Sequence, residues 1–418
     1  MRITVFAAGS QGDIRSCTAL CRGLQAAGHT VHLAAPAGFA GFAQAHGVPF
    51  RGLRGDVERL MASETGRQFM ENSGRHPFTS IRGMRTIVAP LVLKMAEDAL
   101  DACRDAHALI CLDVFAAFGQ AIAEAHHIRV VNLQPTPLLP TRAFPAAAWP
   151  IQHNLGRWHA LLSGWAMLWV NWLGYQSSAN PFRRRIGLRP KSFGRFVRGL
   201  ASTPTLGAYS HHVIARPPDW PETLSITGYL FLDVGADWQP PAQLQAFLEA
   251  GDPPVTIGFG GMTARDPEKI ARLVVAALTE VGKRGVLVAG WGGLQPASLG
   301  KDIAVVEGAP RNWLFPRSAV VVHPGSALMT AAGLRAGKPT VVVPYAADQP
   351  FWGARVHALG VGPAPVPHRA LTVDRLVDAI AVATTDVGIR ERAESLGVAI
   401  RAEHGVARAV ATLERILG

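Results

Sequence analysis

The sequence predicts an α/β protein built from two doubly wound, Rossmann-like domains, on three observations. Short β-branched runs alternate with amphipathic stretches, the pattern of parallel strands covered by helices on both faces. That plan occurs once in each half, on either side of a Pro- and Trp-rich stretch, "ARPPDWPETLSITGYLFLDVGADWQPP" (215–241), where regular structure is expected to fail. The 418 residues, 49% of them apolar, can fill two or three cores. The expected division is an N-terminal domain over 1–215, a linker over 216–241 and a C-terminal domain over 242–418, the last helix being a candidate to pack back on the first domain.

In chain order, "RITVFAA" is the first strand, 15–27 a helix, and "TVHLAAP", "ALICLD" and "RVVNLQP" further strands. The second half runs through "PVTIGFG", a helix near 267–283, "GVLVAG", "IAVVEG", "AVVVHP", a helix over 327–337 and "PTVVVP". Two such domains are expected to form a cleft at the carboxyl ends of their strands, where open α/β sheets bind ligands.

The net charge of +11, from 41 basic and 30 acidic residues, invites an anionic partner, but the basic residues are scattered arginines and do not form a nucleic-acid stripe. Four cysteines (Cys17, Cys21, Cys103 and Cys111) are too few for a disulfide framework and read as small packing residues. "MRITVFAAGS" enters a strand at once, without the apolar core of a signal peptide, so a cytoplasmic protein is expected.

One stretch breaks the rhythm. Trp158 to Phe182 contains no charged residue, and Trp158, Trp165, Trp169 and Trp172 recur at helical spacing. The triplet Arg183–Arg185 follows. The apolar pieces are too short to span a bilayer, which leaves a helix packed on its own sheet, the wall of an apolar acceptor pocket, or a patch lying on an anionic membrane.

Three turns carry candidate chemistry. In "AAGSQGDIRS" (7–16) glycines turn the chain tightly while Ser10 and Asp13 project above the sheet. "CLDVFAAFG" (111–119) ends another strand at Asp113, followed by Phe115. Parallel strands end on one edge, so the two carboxylates are expected to be neighbours, with burial and repulsion raising the pKa of one toward the range of a general base. The third turn, "HPGSA" (323–327), opens a helix, and helix N-termini bind phosphate through unpaired N–H groups. His323 is placed to donate to the same anion, and Asp348 and Gln349, after the next strand, to read sugar hydroxyls. No His and carboxylate cluster suggests a metal site.

Taken together, "GSQGDI", "ARPPDWPETLSITGYLFLD", "VTIGFGGM", "GWGGL" and "NWLFPRSAVVVHPGSALMTAAGLRAGKPTVVVPYAADQPFWGARV" resemble the bacterial inverting glycosyltransferases of the two-domain GT-B fold, the group with antibiotic and sterol glycosyltransferases. The resemblance implies a GT-B fold and metal-independent transfer of a sugar from a UDP- or dTDP-sugar to a hydroxyl of a hydrophobic acceptor, with no cofactor. It implies Asp13 as general base, with Asp113 beside it. Donor contacts would come from Ser10, Gly261, Trp291, Asn312, Trp313, His323, Gly325, Ser326, Ala327, Leu328, Asp348 and Gln349. Acceptor contacts would come from Phe115, Trp165, Trp169 and Trp172, with weak membrane association where the acceptor is membrane-borne.

The chain also departs from the family. Where its members commonly read His-His-Gly-Gly-Ala-Gly-Thr-Thr, this sequence has His323-Pro324-Gly325-Ser326-Ala327-Leu328-Met329-Thr330, and Gly261 stands where Ser is frequent. Backbone N–H groups survive these changes, so the expected diphosphate site persists in altered geometry. A degenerate binding protein without turnover and a nucleotide-sugar epimerase are the rival readings.

Overall fold

The computed structural model describes residues 1–9, 11–56, 59–60, 63–72, 77–153, 155–234, 238–259, 267–288 and 300–418. Ser10, Gly261 and Trp291 therefore lie outside the described residues. The chain divides into two compact units, Met1–Leu232 with Glu403–Gly418, and Asp233–Ala402.

The first unit carries seven strands: β1 (Arg2–Phe6), β2 (Thr30–Pro36), β3 (Phe50–Leu53), β4 (Ala108–Leu112), β5 (Arg129–Gln134), β6 (Thr205–Gly207) and β7 (Leu224–Ile226). They form one parallel sheet in the order β3-β2-β1-β4-β5-β6-β7. Helices cover both faces, so the central strands are apolar on both sides, and Val5, Phe6, Leu109, Ile110 and Cys111 are fully buried. The chain first builds outward from β1 to β3 and then restarts at β4. The switch point, where open sheets of this kind bind ligands, thus lies between β1 and β4.

The helix Gly405–Leu417 belongs to this unit, with Ala409, Val410, Leu413 and Leu417 in its core. It packs on the helix Gln11–Ala26 at Gly23, where a Cβ would stand 2.5 Å from Val406 Cγ1. All four cysteines are free and buried.

Residues 216–232, expected as linker, are instead part of the first unit and supply its edge strand, β7. Side chains hold this stretch where prolines interrupt the ladder. Trp220 is buried edge-on against Tyr209 and Phe144, and Asp219 accepts hydrogen bonds from Thr141 Oγ1 at 2.7 Å and the Arg142 N–H at 2.8 Å. The Arg216 guanidinium donates to the carbonyls of Leu224, Trp220 and Pro221.

The second unit has β8 (Val255–Ile257), β9 (Gly285–Val288), β10 (Ile303–Val306), β11 (Val320–His323) and β12 (Thr340–Val342), parallel in the order β10-β9-β8-β11-β12. Val255, Ile257, Val320, Val322 and Val341 form its core with Leu376 and Ile380 from the helix Val373–Thr385. Its switch point lies between β8 and β11.

The tryptophan-bearing segment is one helix, Arg157–Arg185. Its tryptophans share a face, but the next helix, Phe193–Ser202, covers that face at one end. Trp172 stacks on Phe196 at 4.9 Å within a small core of Ala116, Leu168 and Leu200, whereas Trp158, Trp165 and Trp169 are exposed. Trp172 is therefore a core residue and offers no surface to an acceptor.

Candidate active site

Asp13 and Asp113 flank the switch point of the first sheet, one after β1 and the other after β4. Asp13 sits in the first turn of the helix Gln11–Ala26, where an acid is favoured by the helix dipole, and is half-buried. Its carboxylate lies against Gly9, where a Cβ would be 2.4 Å from Asp13 Oδ2 and would displace the carboxylate from this position.

Asp113 is buried, and its pKa is pushed up to about 7. Burial is the main cause and the Asp13 charge adds to it, against hydrogen bonds from Gln134 and the Val114 N–H that favour the ionised form. The two carboxylates are thus close enough to interact, and the more buried one is held toward its neutral form.

Gln134 and Tyr209 were not singled out from the sequence. The Tyr209 hydroxyl donates to Gln134 Oε1 at 3.1 Å, and the Gln134 amide in turn reaches Asp113, so a buried polar chain ends on the carboxyl. Register explains the meeting: Leu112 pairs with Leu133, which sets Asp113 level with Gln134 at the sheet edge. A polar residue closing an apolar strand was the available signal. Phe115, proposed for the acceptor, is instead buried against Phe6, with ring centroids 5.7 Å apart.

The raised pKa sets a pH dependence. The carboxyl titrates near 3.8 when unfolded and about 7 when folded, so between these values the native state binds more protons. Stability then falls as pH rises from about 4 to about 7 and stays lower above. Asp113→Asn is expected to be more stable than wild type at pH 8, by up to about 4 kcal/mol at roughly 1.4 kcal/mol for each pH unit between the two titrations, with the gain vanishing near pH 4. Thermal or denaturant unfolding across this range checks it; a difference independent of pH would contradict it.

In the second unit, β11 ends at His323, and Gly325 turns the chain into the helix Ala327–Arg335. Gly325 has φ 91°, and a Cβ there would stand 2.5 Å from Val342 Cγ1 and 3.1 Å from the Gln349 carbonyl. The Thr330 N–H bonds the Ser326 carbonyl at 2.9 Å, the first helical bond, so the N–H groups of Ala327, Leu328 and Met329 have no carbonyl within the helix. Ser326 is the N-cap residue, but its side chain makes no capping bond. Ser326, Ala327 and Leu328 are partly exposed. Met329, in place of a hydroxyl residue, packs on the cluster of Leu314, Phe315 and Val321.

His323 does not play its expected part. Its ring is fully buried, and Nδ1 accepts the Gly325 N–H at 2.9 Å. Burial, with the Arg311 charge, pulls its pKa down to about 3, so the ring is neutral near pH 7. With Nδ1 an acceptor the proton is on Nε2, which lies inward near Gly333. His323 therefore shapes the turn and offers no hydrogen bond to an anion outside it.

Gln349 is buried, and its Oε1 accepts the N–H groups of Tyr345 at 2.8 Å and Ala346 at 3.3 Å, which holds the loop after β12. Asp348 remains partly exposed, with Oδ2 accepting the Trp352 indole N–H at 2.9 Å. Asn312 and Trp313 line a cavity of about 480 Å³ with Trp238, Gln245 and Arg317. There Trp313 meets Trp238 at 5.2 Å and Arg317 lies over its ring at 4.4 Å.

Among the described residues one His and carboxylate group could hold a metal, His211, His212 and Glu403. Glu403 Oε1 already accepts the Ser210 hydroxyl and the His211 N–H and pairs with His211 Nδ1 at 2.7 Å, so the group serves as a structural tie.

Residues 3–145 match the Glycosyltransferase family 28 N-terminal domain, and residues 274–414 the Erythromycin biosynthesis protein CIII-like, C-terminal domain. Two sterol 3-beta-glucosyltransferases of Arabidopsis thaliana are similar over the whole chain. One is 35% identical over 415 residues, covering 98% of this chain and 64% of that one; the other is 32% identical over 423 residues, covering 100% and 68%. The chain belongs to this glycosyltransferase family. It spans about two thirds of the plant relatives, and 30% of a sterol 3-beta-glucosyltransferase of Aspergillus fumigatus that is 33% identical over 430 residues.

Solved structures agree on the fold, which is GT-B. The glycotransferase of kitacinnamycin superposes with TM-score 0.76 at 19% identity, covering 100% of this chain and 99% of the other. A Streptomyces sp. SF2575 glycosyltransferase complexed with thymidine diphosphate has TM-score 0.67 at 19% identity, covering 99% of each chain.

Proposed function

We propose that this glycosyltransferase moves a hexose from a UDP- or dTDP-sugar to a hydroxyl of a sterol, lipid or other hydrophobic natural product, with inversion at the anomeric carbon. The observation that carries the donor half is the open N-terminus of the helix Ala327–Arg335 behind Gly325, at the switch point of the second sheet. Three backbone N–H groups and the helix dipole meet the charge of a departing diphosphate, the part a metal ion plays in other transferases, so neither metal nor cofactor is required.

In the transfer, the acceptor hydroxyl gives its proton to the Asp13 carboxylate as its oxygen bonds to the anomeric carbon. The bond from that carbon to the diphosphate oxygen breaks, and the diphosphate leaves with the electron pair. Asp113, kept largely protonated below pH 7 by burial, to which the Asp13 charge adds, acts as a positioning residue. Asp348, partly exposed, would accept from donor-sugar hydroxyls in this reading. The names of the plant relatives support a sterol-like acceptor, and the exposed Trp165 and Trp169 supply apolar surface for one. No helix among the described residues is long and apolar enough to cross a membrane, and we place the activity in the cytoplasm, at the membrane face when the acceptor is lipid-borne.

Calorimetric titration with UDP and dTDP, followed by product assays with and without a sterol, tests this reading. Micromolar binding and strictly acceptor-dependent sugar release are expected. Binding without turnover would mark a degenerate partner protein, and acceptor-independent product an epimerase. The double substitution Trp165→Ala and Trp169→Ala should raise the Michaelis constant for the acceptor about tenfold or more, since two exposed indoles give several kcal/mol of contact area, and leave that for the donor unchanged. Unaltered acceptor kinetics would remove these residues from the site.

A further inference from the structure

The turn after β6 brings two histidines onto one buried carboxylate. In "SHHVI" (210–214) the N–H groups of Val213 and Ile214 both bond the Ser210 carbonyl, at 3.1 and 2.9 Å, which closes the chain tightly. Val213 and Ile214 are buried and pin the turn to the first unit, while His211 and His212 stay exposed with ring centroids 3.9 Å apart. Glu403 reaches them from 192 residues beyond His211. It is the first residue of the segment that returns to this unit and carries the helix Gly405–Leu417.

The Glu403 side chain is only partly satisfied. The residue is 4% exposed. Its Oε1 accepts the Ser210 hydroxyl at 2.9 Å and the His211 N–H at 3.0 Å, and pairs with His211 Nδ1 at 2.7 Å. Its Oε2 is equally buried and has no hydrogen-bond partner among the described residues. Among those residues no lysine or arginine pairs with the carboxylate, and the half-exposed His211 ring is its one ion-pair partner. A buried carboxylate is costly unless its charge and its lone pairs are both met, and here one oxygen is left over.

We propose that His211, His212 and Glu403 bind one divalent transition-metal ion, Zn2+ by their donor chemistry, with water completing the shell. One nitrogen of each ring and one carboxylate oxygen already lie within 4.8 Å of one another. Atoms that share a tetrahedral zinc stand about 3.3 Å apart, a difference that rotation of the exposed His212 ring closes. The ion takes the place of the proton between His211 Nδ1 and Glu403 Oε1, and its double charge meets the buried carboxylate. Two imidazoles to one carboxylate favour Zn2+ over Mg2+ and Ca2+, which prefer shells of oxygen. Ser210, bonded to the same carboxylate, holds that ligand from behind. Because Glu403 opens the returning segment, the ion fastens that segment to the turn after β6, a role separate from sugar transfer.

The test is calorimetric titration of the chelator-stripped full chain with Zn2+, beside thermal unfolding with and without the ion. Wild type is expected to take up one equivalent with a Kd of roughly 1 μM and to unfold at a higher temperature when Zn2+ is in excess. Mg2+ and Ca2+ at the same concentration should leave the midpoint where it was. The His212 ring makes no hydrogen bond among the described residues, so His212→Ala leaves the pairing of His211 with Glu403 in place. That variant should keep the metal-free midpoint and bind Zn2+ at least about tenfold more weakly. Glu403→Gln, which keeps the shape and removes the charge, should also lose at least about tenfold. The proposal is overturned if wild type takes up no Zn2+ up to about 1 mM, if either variant binds as tightly as wild type, or if Mg2+ or Ca2+ stabilises the chain as much as Zn2+. The assay involves neither donor nor acceptor, so its failure leaves the transferase reading to its own test.

Discussion

Replacing Asp13 by alanine is expected to lower kcat by about 10³-fold, within the range for loss of a general base, while the affinity for UDP or dTDP stays at the wild-type value. The carboxylate stands in the first turn of its helix, against Gly9, on the sheet edge where the strand order reverses. It is the more exposed of the two acids, and only a group that solvent can reach can take a proton from an incoming acceptor. Asp113→Asn keeps the size and neutral form of a side chain whose pKa is already near 7, so its kinetic cost should be smaller. Kinetics and calorimetry on both variants separate the roles; equal losses, or full activity in Asp13→Ala, would reassign the base.

The second large effect concerns Gly325. Alanine there combines a left-handed backbone at φ 91° with a Cβ 2.5 Å from Val342 Cγ1 and 3.1 Å from the Gln349 carbonyl. The strain alone is about 1–2 kcal/mol, and relief would swing the three N–H groups of the helix N-terminus off their common target. Gly325→Ala is expected to weaken nucleotide diphosphate binding by about 100-fold, or roughly 2.7 kcal/mol, and to lower the unfolding midpoint. The conformation of His323, whose Nδ1 accepts the Gly325 N–H, would be lost with it. Binding of wild-type strength in a folded Gly325→Ala variant would show that the diphosphate sits elsewhere.

The sequence carried the architecture and the position of the strand-to-helix turns that hold Asp13, Asp113 and Gly325. Strand ends in a parallel sheet lie on one edge, and a Gly-containing turn between strand and helix is where the backbone leaves donors unpaired; Asp13, Asp113 and Gly325 follow from that. Side-chain direction does not. His323 ends a strand just before a helix N-terminus, yet its ring turns inward because Nδ1 is the acceptor that satisfies the Gly325 N–H. Trp172 has the same helical spacing as its exposed neighbours and is buried only because the helix Phe193–Ser202 folds over it, a contact that periodicity along one helix cannot register. The stretch 216–232 reads as linker by its prolines, but buried Trp220 and Asp219 tie it to the first sheet. Gln134 emerges only with the register that sets β5 beside β4.

The measurement closest to the central claim is the anomeric configuration of the product. The chain is incubated with α-linked UDP-glucose or dTDP-glucose and a 3-hydroxysterol, and the glycoside is examined by proton NMR. The account predicts a single β-glucoside, formed only when the sterol is present and made without added metal. An α-glucoside, or consumption of the donor with no glycoside formed, would contradict it.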